Sequence, residues 1–573
     1  MGQTLKTPGV YTFEKDVSEV VAPAGTSIGA MVIESRKGPA NRRVLINRDK
    51  ELVTTFGIPK AVTDPSDLNF YAGLEFLKES DSLYVVRATS GTEAYSNIFV
   101  SGAGFDTATS KTITEKSTTL LLATDGYDDG NGLDDIQAFE GFTDWTGNAL
   151  VIGSNFPGTD GDLIGVIVNT ISGSTVSTLS ADYDWAGKYD TSVANKIVKI
   201  SVFVKDSADD TDFPSTAAET WYVAMDYLKD PAGNQLYAPT VINGKSQYIY
   251  VKVNSGSLVN TLPGLVHTLG EPVALSGGAD SDTNFSVSTA SKNSAWSLYS
   301  DKDKVEVSIL IGAYKGTISQ TIAPTMQTIA GTRQDCIAVV QVDIPTDKTV
   351  TAVKASAASV TTNSYPSYVA KYFGWDKYYD GFNDRQVYVP RAMAGSIAMA
   401  RTDSVAKTWN APAGFNRGGI SYSQGANKVW SDTEIGLLYD INLNGAKKAP
   451  DGFYIWGQKT AQLKKSALDR INVRRLMIYI EKSISKSMLP FVFEPNDDTT
   501  RLRVKSIIDG FLDTIGTSGL TRYSTVVDTT NNTSQVIDNN ELVVDCYLQP
   551  AKSIEFIRLQ YTISRTGVSL TQS

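Results

Sequence analysis

Few residues in this 573-residue chain could carry nucleophilic or acid–base chemistry. Its one histidine, His267, sits in Leu265-Val266-His267-Thr268-Leu269 and reads as structural; histidine is the side chain that titrates near neutral pH without special help. Gly25-Thr26-Ser27-Ile28-Gly29 fits the G-x-S-x-G pattern of a serine nucleophile, but that chemistry needs a strand before the serine and a helix after it. Pro23 breaks what precedes, and Ala30-Met31-Val32-Ile33 predicts a strand where the helix should be. The acidic run from Asp125 to Gly132 lacks the spacing of an EF-hand loop, and reads as a solvated loop with a weak calcium site as the alternative. Cys336 and Cys546 with one histidine cannot build a Cys/His zinc site, and no G-x-x-x-x-G-K-[ST] phosphate loop occurs. No catalytic, cofactor-binding or metal residue is assigned, and the chain is read as a non-enzyme.

Charged recognition has one candidate. Val473, Met477, Ile480, Ile484 and Met488 repeat at helical spacing, while Lys464, Arg475, Lys482 and Lys486 fall on another face. Thr460 is the expected cap of that helix and Pro490 its stop. Such a basic stripe is either a wet helix face or a docking face. The chain carries a net charge of -10. Residues 101 to 240 hold 21 acidic and 7 basic side chains, a balance of -14, so the remainder is slightly positive. The acidity is local and suits a solvated exterior. An acidic chain with no aromatic-plus-basic cluster argues against nucleic acid as a direct partner. No apolar run is long enough to span a bilayer and no secretory leader opens the chain, which predicts a soluble cytoplasmic product without membrane insertion.

These features need positioning elements. Residues 1 to 20 read as an extended arm, with Pro8-Gly9 as a turn and Val10, Tyr11 and Phe13 in an alternating run that must pair with some sheet. Residues 21 to 95 read as a β/α unit: strands at Ala30 to Ile33, Val44 to Ile46 and Leu83 to Arg87, with a helix that buries Phe70, Leu74 and Leu77. Residues 96 to 240 read as one or two inserted β-rich domains. Residues 241 to 415 alternate strands and helices, and the unbroken apolar runs Val305 to Ile311 and Cys336 to Val342 predict parallel strands buried on both faces. Residues 416 to 573 form a C-terminal α+β domain. Its second helix is capped at Asp498 or Thr499, faces Val504, Ile508, Phe511 and Ile515 inward and stops at Gly516. Two terminal strands follow, Leu542 to Leu548 and a half-buried one over about 553 to 566 that turns Ile557, Leu559, Tyr561 and Ile563 to one side.

The most densely specified stretch is Trp409-Asn410-Ala411-Pro412-Ala413-Gly414-Phe415-Asn416-Arg417-Gly418, a rigid corner built from Pro and Gly. Together with Pro8-Gly9-Val10-Tyr11, Leu275-Ser276-Gly277-Gly278-Ala279-Asp280 and Trp456-Gly457-Gln458-Lys459-Thr460, it resembles the tail sheath proteins of contractile-tailed phages. The pattern departs from the family at Asp162 and Ser281, where Asn and Gly are usual. The resemblance implies a multidomain fold, mixed α/β and α+β: a sheath core with inserted β-rich outer domains and a C-terminal domain with strand-donating arms. It also implies a structural subunit that polymerises with its neighbours around an inner tail tube, meets baseplate and tail terminator proteins, and needs no cofactor. The virion tail, assembled in the host cytoplasm, is the implied location. The sheath of a bacterial contractile device stays open as an alternative, and a β-rich adhesin-like protein is the reading from another class.

Overall fold

The computed structural model describes residues 25–59, 68–101, 104–106, 113–114, 150–170, 197–229, 233–254, 271–281, 287–343, 348–360 and 364–559. They fall into two compact units, one of Gly25–Lys407 and Pro412–Ile471, the other of Thr408–Ala411 and the chain from Asn472 onward. Residues 416 to 471, grouped above with the C-terminal domain, therefore pack with the larger unit.

The larger unit is organised by a six-stranded sheet in the order Val369–Phe373, Ile337–Val342, Ile309–Gly312, Gly29–Ile33, Leu83–Arg87, Arg43–Ile46. Its neighbours are parallel except for the last pair, which is antiparallel. Met31, Val32, Leu310, Ile311, Ala338 and Val339 are all fully buried, and consecutive buried side chains require cover on both faces of a sheet. That cover comes from two pairs of mutually packed helices, Asn69–Phe76 with Arg391–Val405 and Thr289–Ser297 with Thr317–Arg333. The strand after Ser27 excludes a nucleophile elbow there.

Polar clamps fasten this core. Arg391 is 1% exposed, and its Nη2 donates to Asp376 Oδ1 at 2.5 Å. Gly374 has φ of +106, and a Cβ there would lie 2.1 Å from Arg391 Nη1, so glycine admits the guanidinium. Buried Lys292 pairs with buried Glu34 at 2.6 Å.

The β-rich insertion is two antiparallel sheets face to face. One runs Glu219–Ala224, Ile197–Val204, Ile164–Thr170, Val273–Ala274; the other runs Ile249–Val253, Leu150–Pro157, Ala94–Ser101, Gly104–Asp106. Ile152, Val166, Ile200 and Val251 meet in one shared core. Ile249–Val253 and Val273–Ala274 are members of these sheets, so the packing extends past residue 240. Arg87 ties the sandwich to the sheet core, donating to the carbonyls of Gly38 and Pro157 at 2.9 Å each.

The smaller unit packs helices Ile471–Met488 and Asp498–Gly519 against each other, with Leu476, Ile480, Val504, Ile508, Phe511 and Ile515 at the centre. Asp497 caps the second helix, one residue before the expected position, and Gly516, at φ 64, kinks its end. The first helix begins at Ile471, not near Thr460, whose hydroxyl donates to the Leu468 carbonyl in a loop. Leu520–Val526 pairs antiparallel with Asp545–Pro550. The first of these strands follows the helix directly, and Asn532, 1% exposed, braces the intervening loop by bonding the carbonyl and N–H of Val543.

Candidate assembly surfaces

The Pro/Gly corner is held differently on its two sides. Within the smaller unit, the Trp409 ring lies 5.9 Å from Tyr479, its Nε1 donates to Ser518 Oγ at 3.2 Å, and its carbonyl accepts from Asn472 Nδ2 at 3.2 Å. Ala411 is half-buried. Within the larger unit, Pro412 is buried, Ala413 half-buried, and the Gly414 N–H donates to the Ile455 carbonyl at 2.9 Å. Gly414 has φ of +82, and a Cβ on Gly418 would sit 2.9 Å from backbone atoms of Gly414 and Ile455. Gly414 is thus required by its positive φ and Gly418 by close backbone approach. Asn416 is exposed and Arg417 half-buried. Phe415, 57% exposed, stands edge-on to Tyr454 and Trp456 at 4.8 and 5.3 Å. This arrangement fixes chain path and offers no reacting group.

The basic stripe does not form. Lys464 is exposed but precedes the helix and belongs to the larger unit. Arg475 is only 3% exposed, while Lys482 is half-buried and Lys486 exposed. Every residue from 471 to 476 is buried, Asn472 and Arg474 included, so the helix has no wet face in its first turns. Periodicity identifies the apolar stripe of a helix but says nothing of what covers its other side.

At the chain's end, Ile557 and Leu559 are 78% and 70% exposed, as are Ile554 at 81% and Phe556 at 84%. Residues 551–559 form no strand. The remaining predicted strand residues, Tyr561 and Ile563, and the arm residues Pro8, Gly9, Val10, Tyr11 and Phe13 lie outside the described residues, as do His267 and Asp125 to Gly132. Among the described residues, the strands Leu520–Val526 and Asp545–Pro550 pair only with each other, leaving an open edge on each side. Tyr523 on the first of them donates to Asp513, and that bond pushes its hydroxyl up to about 12.

One surface escaped the sequence reading. The turn between the two helices exposes Leu489 at 67%, Val492 at 56% and Phe493 at 103%, and Leu502 in the next helix is 67% exposed. Its signal was present in Leu489-Pro490-Phe491-Val492-Phe493, an apolar run lodged in a proline-broken turn, where polar residues are expected.

Residues 464–564, which take in both helices, the strand pair and the start of the exposed tail, match the family model of the phage tail sheath C-terminal domain. The tail sheath protein of Enterobacteria phage T4 is 27% identical over 99% of this chain and 99% of its own length. The chain is thus similar to a phage tail sheath protein over nearly its whole length, and its C-terminal residues match the family's C-terminal domain. The tail sheath protein of Vibrio phage KVP40 is 35% identical over 48% of this chain and 44% of that protein. The fold agrees: the solved sheath tail protein of Listeria innocua superposes with a TM-score of 0.51 at 11% identity, covering 92% of this chain and 96% of that one. Among the described residues, no helix is long and apolar enough to cross a membrane.

Proposed function

We propose that this chain is the structural subunit of a contractile tail sheath, polymerising helically around an inner tube and shortening to drive that tube through a host envelope. The observation that carries this is likeness over nearly the whole length of a phage tail sheath protein. That full-length match to a phage protein favours the virion tail, assembled in the host cytoplasm, over a bacterial injection device. Baseplate and terminator proteins cap the two ends of the polymer.

Physical chemistry supports the mechanical role. The larger unit is a closed body that moves without repacking. Among the described residues, the smaller unit leaves two strand edges open and displays exposed Ile554, Phe556, Ile557 and Leu559 in its tail. A strand donated from one subunit to a neighbour's edge satisfies both sets of needs. The arm at 1 to 20 and the tail at about 553 to 566 supply such strands. Ladder hydrogen bonds can persist while the linkers bend, so subunits rotate as rigid bodies without the lattice falling apart.

Deleting residues 1 to 20, or separately everything from Ser553, should give a folded monomer that forms no polymer at concentrations where the intact chain forms hollow helical tubes in negative-stain electron microscopy. Normal tubes from either truncation would remove the corresponding segment from the linkage.

A further inference from the structure

We infer that the strand donated by a neighbouring copy is received on one edge alone, the outer edge of Asp545–Pro550 along the backbone of Val544, Cys546 and Leu548, while Lys505 keeps the opposite edge closed. The inference rests on the sheath reading above and says where two subunits are joined.

Backbone parity identifies the two edges. Along an antiparallel strand, the N–H and C=O groups of alternate residues point toward the partner strand, and those of the residues between point away. The Val543 N–H and carbonyl both bond the Asn532 side chain, at 2.8 and 2.9 Å, and the Ala551 N–H donates to the Gly519 carbonyl at 2.9 Å. Residues 543 and 551 therefore face inward, and with them Asp545, Tyr547 and Gln549, the partners of Val526, Ser524 and Arg522. Val544, Cys546 and Leu548 face outward. The Asn532 amide imitates one more rung of the ladder, so the usable edge already begins at Val544. On the other strand the same parity turns Tyr523 and Thr525, the partners of Leu548 and Cys546, outward.

The two edges are finished differently. Lys505, on the helix Asp498–Gly519, donates its Nζ to the outward carbonyl of Thr525 and pairs with Asp509 at 3.2 Å. An incoming strand would have to displace a bonded ammonium group, and lysine is a usual guard of exposed strand edges. Among the described residues, nothing bonds the outward backbone of Val544, Cys546 or Leu548. Half-buried Val544 and Leu548 also lie at the margin of the smaller unit's core, so a strand added beside them extends the sheet over that core.

The occupant is the tail of a second copy. Ala551 and Ser553 continue the inward series, bound to Gly519 and to Asn472 Nδ2, the latter at 3.1 Å. The chain's own tail thus runs on in line with its strand, and as far as Leu559 it does not turn back to pair. A neighbour's tail brings main-chain groups for the free edge, and its exposed Ile554, Phe556, Ile557 and Leu559 bring apolar cover for the margin.

The test uses a native probe: of the chain's two cysteines, Cys336 is buried and Cys546 exposed. Ile557→Cys or, separately, Leu559→Cys is introduced into the full chain, and assembled tubes are oxidised with copper phenanthroline. Expected from at least one of them is a ladder of disulfide-linked chains on a non-reducing gel. The ladder should vanish with Cys546→Ser and not return when Ser524→Cys, exposed on the other strand, is added. A ladder through Ser524→Cys alone puts the strand on the closed edge and overturns the inference. Thiol loss without a ladder, which means that the chain's own tail fills the edge, overturns it too, as do tubes in which no cross-link forms. Cys546→Pro is the second arm, since it removes an outward N–H that the isolated hairpin does not use. The melting temperature should hold while polymer falls at least about tenfold; tubes at parental yield from this variant overturn the inference. If the parent forms no tubes, the sheath reading itself falls, a result the variants cannot imitate.

Discussion

The two units of this chain treat their unsatisfied groups in opposite ways. The larger one encloses charge: Arg391 with Asp376, Lys292 with Glu34, and Arg333, whose guanidinium reaches the carbonyls of Tyr299, Asp301 and Val305 as well as the Asp335 carboxylate. Buried ions are tolerated only when paired and hydrogen-bonded, and the pairing locks one arrangement. The smaller unit has a modest core and, among the described residues, two open strand edges and apolar side chains displayed at both ends. A body that is complete alone can only be carried. A body left incomplete needs neighbours, and a polymer that must change pitch needs both kinds in each subunit.

The largest expected effect breaks the enclosed side. Arg391→Ala would leave the Asp376 carboxylate, 0% exposed, without its counter-ion. Removing one partner of a buried pair costs about 3–5 kcal/mol, so urea unfolding of the larger unit should shift strongly while that of the smaller unit stays put. A loss under about 1 kcal/mol would mean that water or another cation reaches the aspartate, and that the contrast between the units is overstated. The converse cut is Ile508→Ala, in the centre of the smaller core. Its cost should be roughly 3 kcal/mol, confined to the smaller unit's transition and accompanied by loss of polymer. If both transitions move together, the units fold as one and the division of labour drawn here fails.

What was legible in the sequence follows the same divide. The central strands could be read because Ala30-Met31-Val32-Ile33 and Ile337-Ala338-Val339-Val340 are apolar without interruption, and only a doubly covered sheet needs that. The stripe Val504, Ile508, Phe511, Ile515 likewise named the buried face of its helix. Charged residues misled. Arg475 reads as a wet position by type and spacing, yet it is buried, because burial of an ion is decided by partners distant in sequence. The corner at Trp409 to Gly418 announced itself as rigid but not that it would be fixed in two places, to Asn472 and Ser518 on one side and to Ile455 on the other. The turn at Leu489 to Phe493 went unread because apolar residues in a loop do not register in a search for periodicity.

The smallest expected effect sharpens the comparison at the start of the Asp498–Gly519 helix, which carries one of the exposed leucines. The fully exposed Asp497 carboxylate accepts from the Thr500 N–H at 2.7 Å, and that bond holds its pKa below the usual carboxylate value. A depressed pKa stabilises the fold above the unfolded value, about 3.9 for aspartate, and the contribution is lost as pH falls through the folded value. The smaller unit should therefore lose this increment of thermal stability on acidification below about pH 4. Asp497→Asn keeps an acceptor for the same N–H without the charge. At pH 7 its melting temperature should therefore lie below the parent's by that same small increment, and it should fall less between pH 4 and pH 2. A full match at pH 7 would mean that a neutral acceptor caps this helix as well as the carboxylate does.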